Sequence, residues 1–200
     1  MKAKDLEGER LVVDTSVFTN PEIYRQFGPE PTRAFLNFLE LVGQAPSLRV
    51  YMPSSVYSEL KRSLKAHELS RAARAVFRIK SPKKYELKIP AFLLYELIDD
   101  IRQRINKGLR VAEEAVRSTS FREEAEIINT LRRKYREALR EGIVDSKEDI
   151  ELVLLTMELD GLLLSADQGV LNLADKLGLR WICPEEIRET VESLVHLRRS

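Results

Sequence analysis

Short apolar runs separated by helical patterns are the feature that most constrains the fold of this chain. Four runs have this character, at Leu11–Val13, Arg49–Met52, Leu162–Ser165 and Arg180–Cys183. Short runs rich in branched apolar side chains fit strands that are covered on both faces of a sheet. Strands that alternate with helices along a chain pair in parallel. The sequence therefore predicts an α/β fold built on a short parallel sheet.

The middle of the chain departs from this alternation. From about residue 69 to residue 141 the pattern is helical, with one apolar stripe over 94–105 and a second over 121–139. Two such helices joined by a short connection predict an antiparallel helical arm. We therefore assign residues 1–68 and 142–200 to the α/β domain and residues 69–141 to an inserted helical arm.

Cysteine content and hydropathy exclude several classes of protein. Cys183 is the one cysteine of the chain, so neither an internal disulfide nor a disulfide partner is expected. Apolar stretches such as Leu152–Leu155 are far shorter than the roughly 20 residues that a bilayer-spanning helix needs. The first residues lack the basic-then-apolar pattern of a secretory signal. These features predict a cytoplasmic protein that does not bind membranes.

Four aspartates fall where the predicted elements would bring them to one edge of the sheet. Asp14 ends the first strand, and Asp167 follows the strand that ends at Ser165. Ligands of open parallel sheets bind at the carboxyl edge of the strands, near the point where the strand order reverses. Asp145 and Asp149, four residues apart at the start of a predicted helix, share one helix face near the same edge.

Clustered carboxylates of this kind predict a metal site. They raise one another's pKa unless a cation lies among them, and Glu59, early in the helix after the second strand, is a fifth candidate ligand. With two histidines and one cysteine, the chain is poor in zinc ligands. Oxygen ligands favour Mg2+, with Mn2+ as an alternative, and such ions support phosphodiester hydrolysis. The hydroxyls of Thr15 and Ser16 would orient a phosphate or a metal-bound water.

Each acid also has a purely structural interpretation. Ser146 and Asp149 fit a helix-capping pair. Asp167 fits a turn, and Glu59 fits a solvated acid in the first turn of a helix. Asp14 resists this interpretation, because an acid at the end of a buried strand costs free energy unless it is paired or coordinated. Four independent coincidences at one edge would be needed, so we favour the metal site.

Positive charge is concentrated in two stretches, although the net charge is +1. Residues 61–88 hold ten Lys or Arg against two Glu, and residues 129–140 hold five against one. In the second stretch Arg132, Arg136 and Arg140 recur every four residues and would form one stripe on a helix. Such stretches predict binding of a polyanion, with solvated helix faces as the alternative.

The order of four motifs resembles the PIN nuclease superfamily. These motifs are Val12–Ser16, Ser54–Leu60, the Asp145 and Asp149 pair, and Leu164–Leu171. The segment Asp14–Gly28, the helical insertion and the chain length are similar to the homologs of Aquifex RNase P (HARP), also called RNA ligase partner proteins. The resemblance covers essentially the whole chain, and its N-terminal segment is more specific than the scattered acids.

This resemblance implies a PIN-like three-layer α/β/α nuclease domain and a protein-only RNase P, which hydrolyses precursor tRNA to leave the mature 5′ end. It implies a homo-oligomer built from dimers, in which helical arms pair. A-form RNA is recognised mostly by shape and backbone, so we expect the arginine stripe, with Arg133, to grip the tRNA. Glu59 matches the second acid of PIN domains. The implied catalytic acids are Asp14, Asp145, Asp149 and Asp167.

Two other functions stay open at this point. The first is a toxin-type PIN ribonuclease acting on other RNAs, against which the large arm argues because minimal toxins have little to insert. The second is a non-catalytic RNA-binding partner of an RNA ligase, against which the retained acids argue.

Overall fold

The computed structural model describes residues 9–45, 47–64, 75–117, 124–140 and 146–199, without the side chains of residues 138–140, 198 and 199. These residues fall into two compact units, one within Met1–Leu87 together with Ser146–Ser200 and one within Lys88–Asp145. None of the helices in the described ranges combines the length and hydropathy that a bilayer crossing requires.

Strands and helices alternate along the first unit. The strands are β1 (Arg10–Val13), β2 (Arg49–Met52), β3 (Phe77–Ile79), β4 (Leu162–Leu164) and β5 (Arg180–Trp181). The helices of this unit are α1 (Ser16–Thr19), α2 (Pro21–Tyr24), α3 (Pro31–Val42), α4 (Ser54–Ser63), α7 (Lys147–Leu159), α8 (Gln168–Lys176) and α9 (Ile187–Arg199), with a 3-10 turn at Pro184–Glu186. The second unit contains α5 (Phe92–Arg117) and α6 (Glu124–Arg140).

The five strands form one parallel sheet in the order β3-β2-β1-β4-β5. Leu11 and Val13 of the central strand pack into a core with α3, whereas Val12 packs with α7 and α8 on the other face. Alternate residues of a strand point to opposite faces, so the sheet is covered on both sides. The expected three-layer α/β/α fold is confirmed.

Strand β3 was not among the four predicted strands. It pairs with β2 in the register Val50↔Phe77 to Met52↔Ile79. Of its residues Phe77 is buried, whereas Arg78 and Ile79 are exposed, as an edge strand allows. The strand therefore lacks the apolar run that identified the others. It lies within residues 69–141, the range assigned to the arm, and that assignment stays a prediction.

Helices α5 and α6 pack against each other in the second unit. Gly108 is the buried residue of α5, and a Cβ atom there would lie 2.6 Å from Cε2 of Tyr135. Glycine at this position therefore leaves room for the Tyr135 ring. Lys134 of α6 donates to Glu114 of α5 at 2.9 Å. The apolar stripe over 94–105 remains exposed.

Candidate active site

Asp14 follows the central strand and is 7% exposed. Its backbone N–H donates to the carbonyl of Leu164 at 2.9 Å, which extends the pairing of β1 with β4 to the site. The chain continues outward from β1 through β2 to β3 on one side, and through β4 to β5 on the other. Asp14 thus stands at the point where the strand order reverses, the usual ligand position in such sheets.

Two serine hydroxyls hold the Asp14 carboxylate. Ser16 donates to Oδ2 at 2.5 Å, and Ser165, which is fully buried, donates to the same oxygen at 2.7 Å. The Ser16 hydroxyl accepts the N–H of Ala166 at 2.8 Å, and the Ser165 hydroxyl accepts the N–H of Asp167 at 3.0 Å. This closed network fixes the orientation of the carboxylate between β1 and β4.

The sequence analysis predicted that the hydroxyls of Thr15 and Ser16 orient a phosphate or a metal-bound water, and it did not select Ser165. Thr15 lies 3.4 Å from Oδ1 of Asp14, a long contact, and is buried. A signal for Ser165 was available, because a polar residue at the end of a buried strand needs a hydrogen-bond partner.

Burial raises the pKa of Asp14 above its usual value. The hydrogen bonds from Ser16 and Ser165 act in the opposite direction, and the negative charge of Asp167 raises the pKa further. No Lys or Arg in the described part of the chain is among the groups that shift it. The anionic form is therefore held by hydroxyl donors and lacks the compensation that a nearby cation would give.

Asp167 has a structural role beside its charge. Its Oδ1 accepts the N–H of Val170 at 3.0 Å and caps α8. Asp167 therefore caps a helix, and its negative charge also acts on Asp14.

Glu59 of α4 belongs to the same electrostatic neighbourhood. Its pKa is raised first by burial and then by the charges of Asp14 and Glu148, while Arg62 opposes the shift. Glu148, in the first turn of α7, was not among the predicted residues, since the helix pattern alone selected its neighbour Asp149. The structure thus brings acids from three helices and the β1 end toward one edge.

Asp149 also lies in the first turn of α7, and its N–H donates to the Ser146 hydroxyl at 3.0 Å. The capping role of Ser146 is therefore present. Asp145 lies outside the described residues. Within the described ranges no three His, Cys, Asp or Glu side chains are gathered closely enough to hold one ion.

The chemistry of the donor set nevertheless fits a divalent cation. Asp14 is a buried carboxylate with anionic neighbours, and hard oxygen ligands of this type suit Mg2+ and Mn2+. Glu151, elsewhere on α7, differs from these acids in the direction of its pKa shift. Burial raises the pKa of Glu151, but hydrogen bonds from Lys84 and Ser55 outweigh it, so the net shift is downward. The pKa of that acid is therefore shifted downward, whereas the pKa values of Asp14 and Glu59 are shifted upward.

The predicted arginine stripe lies on α6 in the second unit. Arg132, Arg133 and Arg136 are exposed, and Arg136 donates to the carbonyl of Arg132 at 3.1 Å. Arg133 contacts Glu137 at 3.4 Å in an exposed pair, which contributes little to stability. The side chain of Arg140 lies outside the described residues. The RNA-binding role of this stripe stays a prediction.

Comparison with known proteins identifies close relatives. The model of the PINc domain ribonuclease family matches residues 10–196. A protein named RNA-free ribonuclease P from Thermodesulfovibrio yellowstonii is 47% identical over 186 residues, 93% of this chain and 95% of the relative. Proteins of the same name from Thermococcus onnurineus and Nitrosococcus oceani are 50% and 43% identical, and the alignments cover 93% and 96% of this chain and 95% and 98% of those relatives.

Proposed function

Because this chain belongs to the PINc domain ribonuclease family, we propose that it is an RNA-free ribonuclease P, an endoribonuclease that hydrolyses precursor tRNA to leave the mature 5′ end. The observation that carries the proposal is the alignment with proteins of that name over 93% to 96% of the chain, which includes the helices of the second unit. Neither a toxin-type nuclease nor a binding partner without activity explains both this extent of similarity and the acids at the carboxyl edge of the sheet.

PIN nucleases generally depend on divalent metal ions, and we propose Mg2+, with Mn2+ as an alternative. The ligands in this proposal are Asp14, Glu59, Asp145, Asp149 and Asp167. The burial of Asp14 beside other acids supports the set. When bound, the ions would activate a water for attack on the phosphodiester and stabilise the leaving oxygen.

The protein side of the mechanism consists of holding Asp14 in one orientation. Because Ser16 and Ser165 both donate to Oδ2, the carboxylate cannot rotate without losing two hydrogen bonds. A carboxylate held in this way is already oriented before a metal ion binds, which lowers the free-energy cost of forming the reactive geometry. Thr15 and Ser16 stay candidates for positioning a phosphate or a water.

Substrate grip and assembly complete the proposal. The exposed arginines Arg132, Arg133 and Arg136, with Arg140, would contact tRNA phosphates. The family resemblance supports a homo-oligomer built from dimers through the helices of the second unit. A precursor tRNA substrate would place the protein in the cytoplasm.

The decisive experiment is incubation of the purified protein with 5′-labelled precursor tRNA, with Mg2+ and with EDTA, followed by mapping of the cut. We expect one cut at the mature 5′ end with Mg2+ and none with EDTA. Asp14→Asn should abolish cleavage, whereas Asp175→Asn, an exposed aspartate of α8, serves as the matched control. Messenger and ribosomal RNA are tested in parallel. Preferential cleavage of those RNAs, or RNA binding without any product, would contradict the proposal.

A further inference from the structure

The carboxyl end of β3 lies at the same edge of the sheet as Asp14. Val12 is in register with Tyr51, and Tyr51 with Arg78, so Lys80, two residues after Arg78, is level with Asp14. The Lys80 N–H donates to the Met52 carbonyl at 3.0 Å, which continues the pairing to this level. Neighbouring strands are about 4.8 Å apart, so the backbone at Lys80 lies roughly 10 Å from that at Asp14. Residues 80–87, which we call the ledge, therefore leave the sheet beside the candidate site.

Ion pairs with mostly buried carboxylates fix the ledge to α7. Lys80 pairs with Glu158, and Lys84 pairs with Glu151. The two glutamate side chains are 15% and 13% exposed, respectively. The backbone N–H of Lys83 also donates to Glu158 at 2.7 Å. Pairs shielded in this way hold a segment more firmly than pairs in open solvent.

Contacts with α4 and a closed turn complete the anchoring. The Ser81 hydroxyl lies 2.6 Å from that of Ser54, the first residue of α4. The N–H groups of Glu86 and Leu87 donate to the Lys83 carbonyl at 2.9 and 3.1 Å. The ledge is thereby tied to the two helices that carry Glu59 and Asp149, and it has its own internal hydrogen bonds.

Tyr85 projects from this anchored turn with its side chain fully exposed. An aromatic ring normally gains free energy from burial, and here a fixed segment holds the ring in solvent. Lys83 and Lys84 beside it keep 59% and 50% of their side chains exposed. An ammonium has three donors, so a lysine that touches one carboxylate can still contact a phosphate. An exposed aromatic face beside lysines is the kind of surface that unpaired nucleotides bind.

We propose that Tyr85 stacks on an unpaired base of the single-stranded RNA that adjoins the scissile phosphate, while Lys83 and Lys84 contact the phosphates of that strand. The inference rests on the proposed function, since a precursor tRNA carries an unpaired 5′ leader next to the cut. Base-paired A-form RNA on the other side of the cut offers no free base face to a tyrosine. Tyr85 therefore recognises the leader and not the mature tRNA.

The test compares the affinities of two RNAs in the Asp14→Asn background, where the RNA stays intact. Fluorescence anisotropy gives the Kd for precursor tRNA with an unpaired leader of several nucleotides and for mature tRNA. We expect Tyr85→Ala to weaken precursor binding at least about fivefold, because one stacked base contributes that much affinity, and to leave mature tRNA binding unchanged. Tyr85→Phe, which keeps the ring, should restore leader-dependent affinity. Leu197→Ala removes a large exposed side chain from α9 and is the matched control.

Three results would overturn the inference. The first is equal affinity of Tyr85→Ala and its parent for the precursor. The second is equal weakening for both RNAs. The third is a changed elution volume of Tyr85→Ala in size-exclusion chromatography, which would show that Tyr85 contacts a second copy of the chain. Cleavage by the unchanged protein is measured separately. Normal cleavage without a leader effect refutes the stacking alone, whereas a leader effect without cleavage refutes the proposed function alone.

Discussion

Replacing Ser165 by Ala tests the orientation of Asp14 directly. The substitution removes the 2.7 Å hydrogen bond to Oδ2 of Asp14 and leaves the Asp167 N–H without its acceptor. A hydrogen bond to a charged group contributes about 1.5 to 3 kcal/mol. Because Ser165 is fully buried, water cannot replace the lost hydroxyl. We therefore expect the free energy of unfolding to fall by roughly 2 to 3 kcal/mol.

Ser165→Ala is also expected to slow catalysis. With Ser16 as the remaining serine donor to Oδ2, the Asp14 carboxylate gains freedom to rotate. A displacement of about 1 Å in a reacting group costs up to roughly 100-fold in rate. Single-turnover cleavage of precursor tRNA at saturating Mg2+ should therefore slow by about 10- to 100-fold, with the cut site unchanged.

Urea denaturation and the single-turnover assay together decide this prediction. Ser58→Ala is the matched control, because the Ser58 hydroxyl is exposed and donates to a backbone carbonyl of its own helix. Its free energy of unfolding should change by less than about 0.5 kcal/mol. If Ser165→Ala unfolds at a lower urea concentration but cleaves at the rate of the control, the serine network supports folding alone. If it matches the control in both assays, the reasoning is refuted.

Three further predictions follow from the same site and from α6. Burial raises the pKa of Asp14 above its usual value. The folded state therefore binds the carboxyl proton more tightly than the unfolded state does, and the free energy of unfolding falls as the pH rises through the pKa of the folded state. Asp14→Asn should therefore be more stable to urea than the unchanged protein at pH 7 in EDTA. Mg2+ or Mn2+ should raise the melting temperature of the unchanged protein and not that of Asp14→Asn, as scanning calorimetry would show. Replacing Arg132, Arg136 and Arg140 by Ala should weaken precursor tRNA binding and flatten its dependence on log salt concentration; unchanged binding at several salt concentrations would remove the stripe from the proposal.

The central strand was predicted because burial and an apolar run coincide there. Leu11, Val12 and Val13 are fully buried, so their apolar run identified the central strand and placed Asp14 at its carboxyl end. The sequence analysis did not predict strand β3, because Phe77 is its one buried residue. An edge strand needs apolar side chains on part of one face only, and a periodicity argument has little to detect there.

The candidate site was predicted as a set of strand-end acids, and its supporting groups were not. Ser165 and Asp14 are distant in sequence, and their hydrogen bond depends on the β1 and β4 pairing that the linear pattern does not specify. The ion pairs of the ledge were not predicted for the same reason, since Lys84 and Glu151 are distant in sequence and come into contact only in the folded chain. Glu148 was missed because adjacent acids on a first turn differ by about 100° of helix rotation, which spacing alone does not resolve.

The helix cap at Asp167 changes how loss-of-function variants at this position should be interpreted. Since Oδ1 accepts the Val170 N–H, an alanine there removes a cap worth about 1 kcal/mol as well as a negative charge. A genetic screen of alanine alleles would not distinguish a partly unwound α8 from the loss of a proposed metal ligand. Asparagine caps as well as aspartate does, so an Asn allele isolates the contribution of charge, and the difference between the two alleles reports the contribution of the cap.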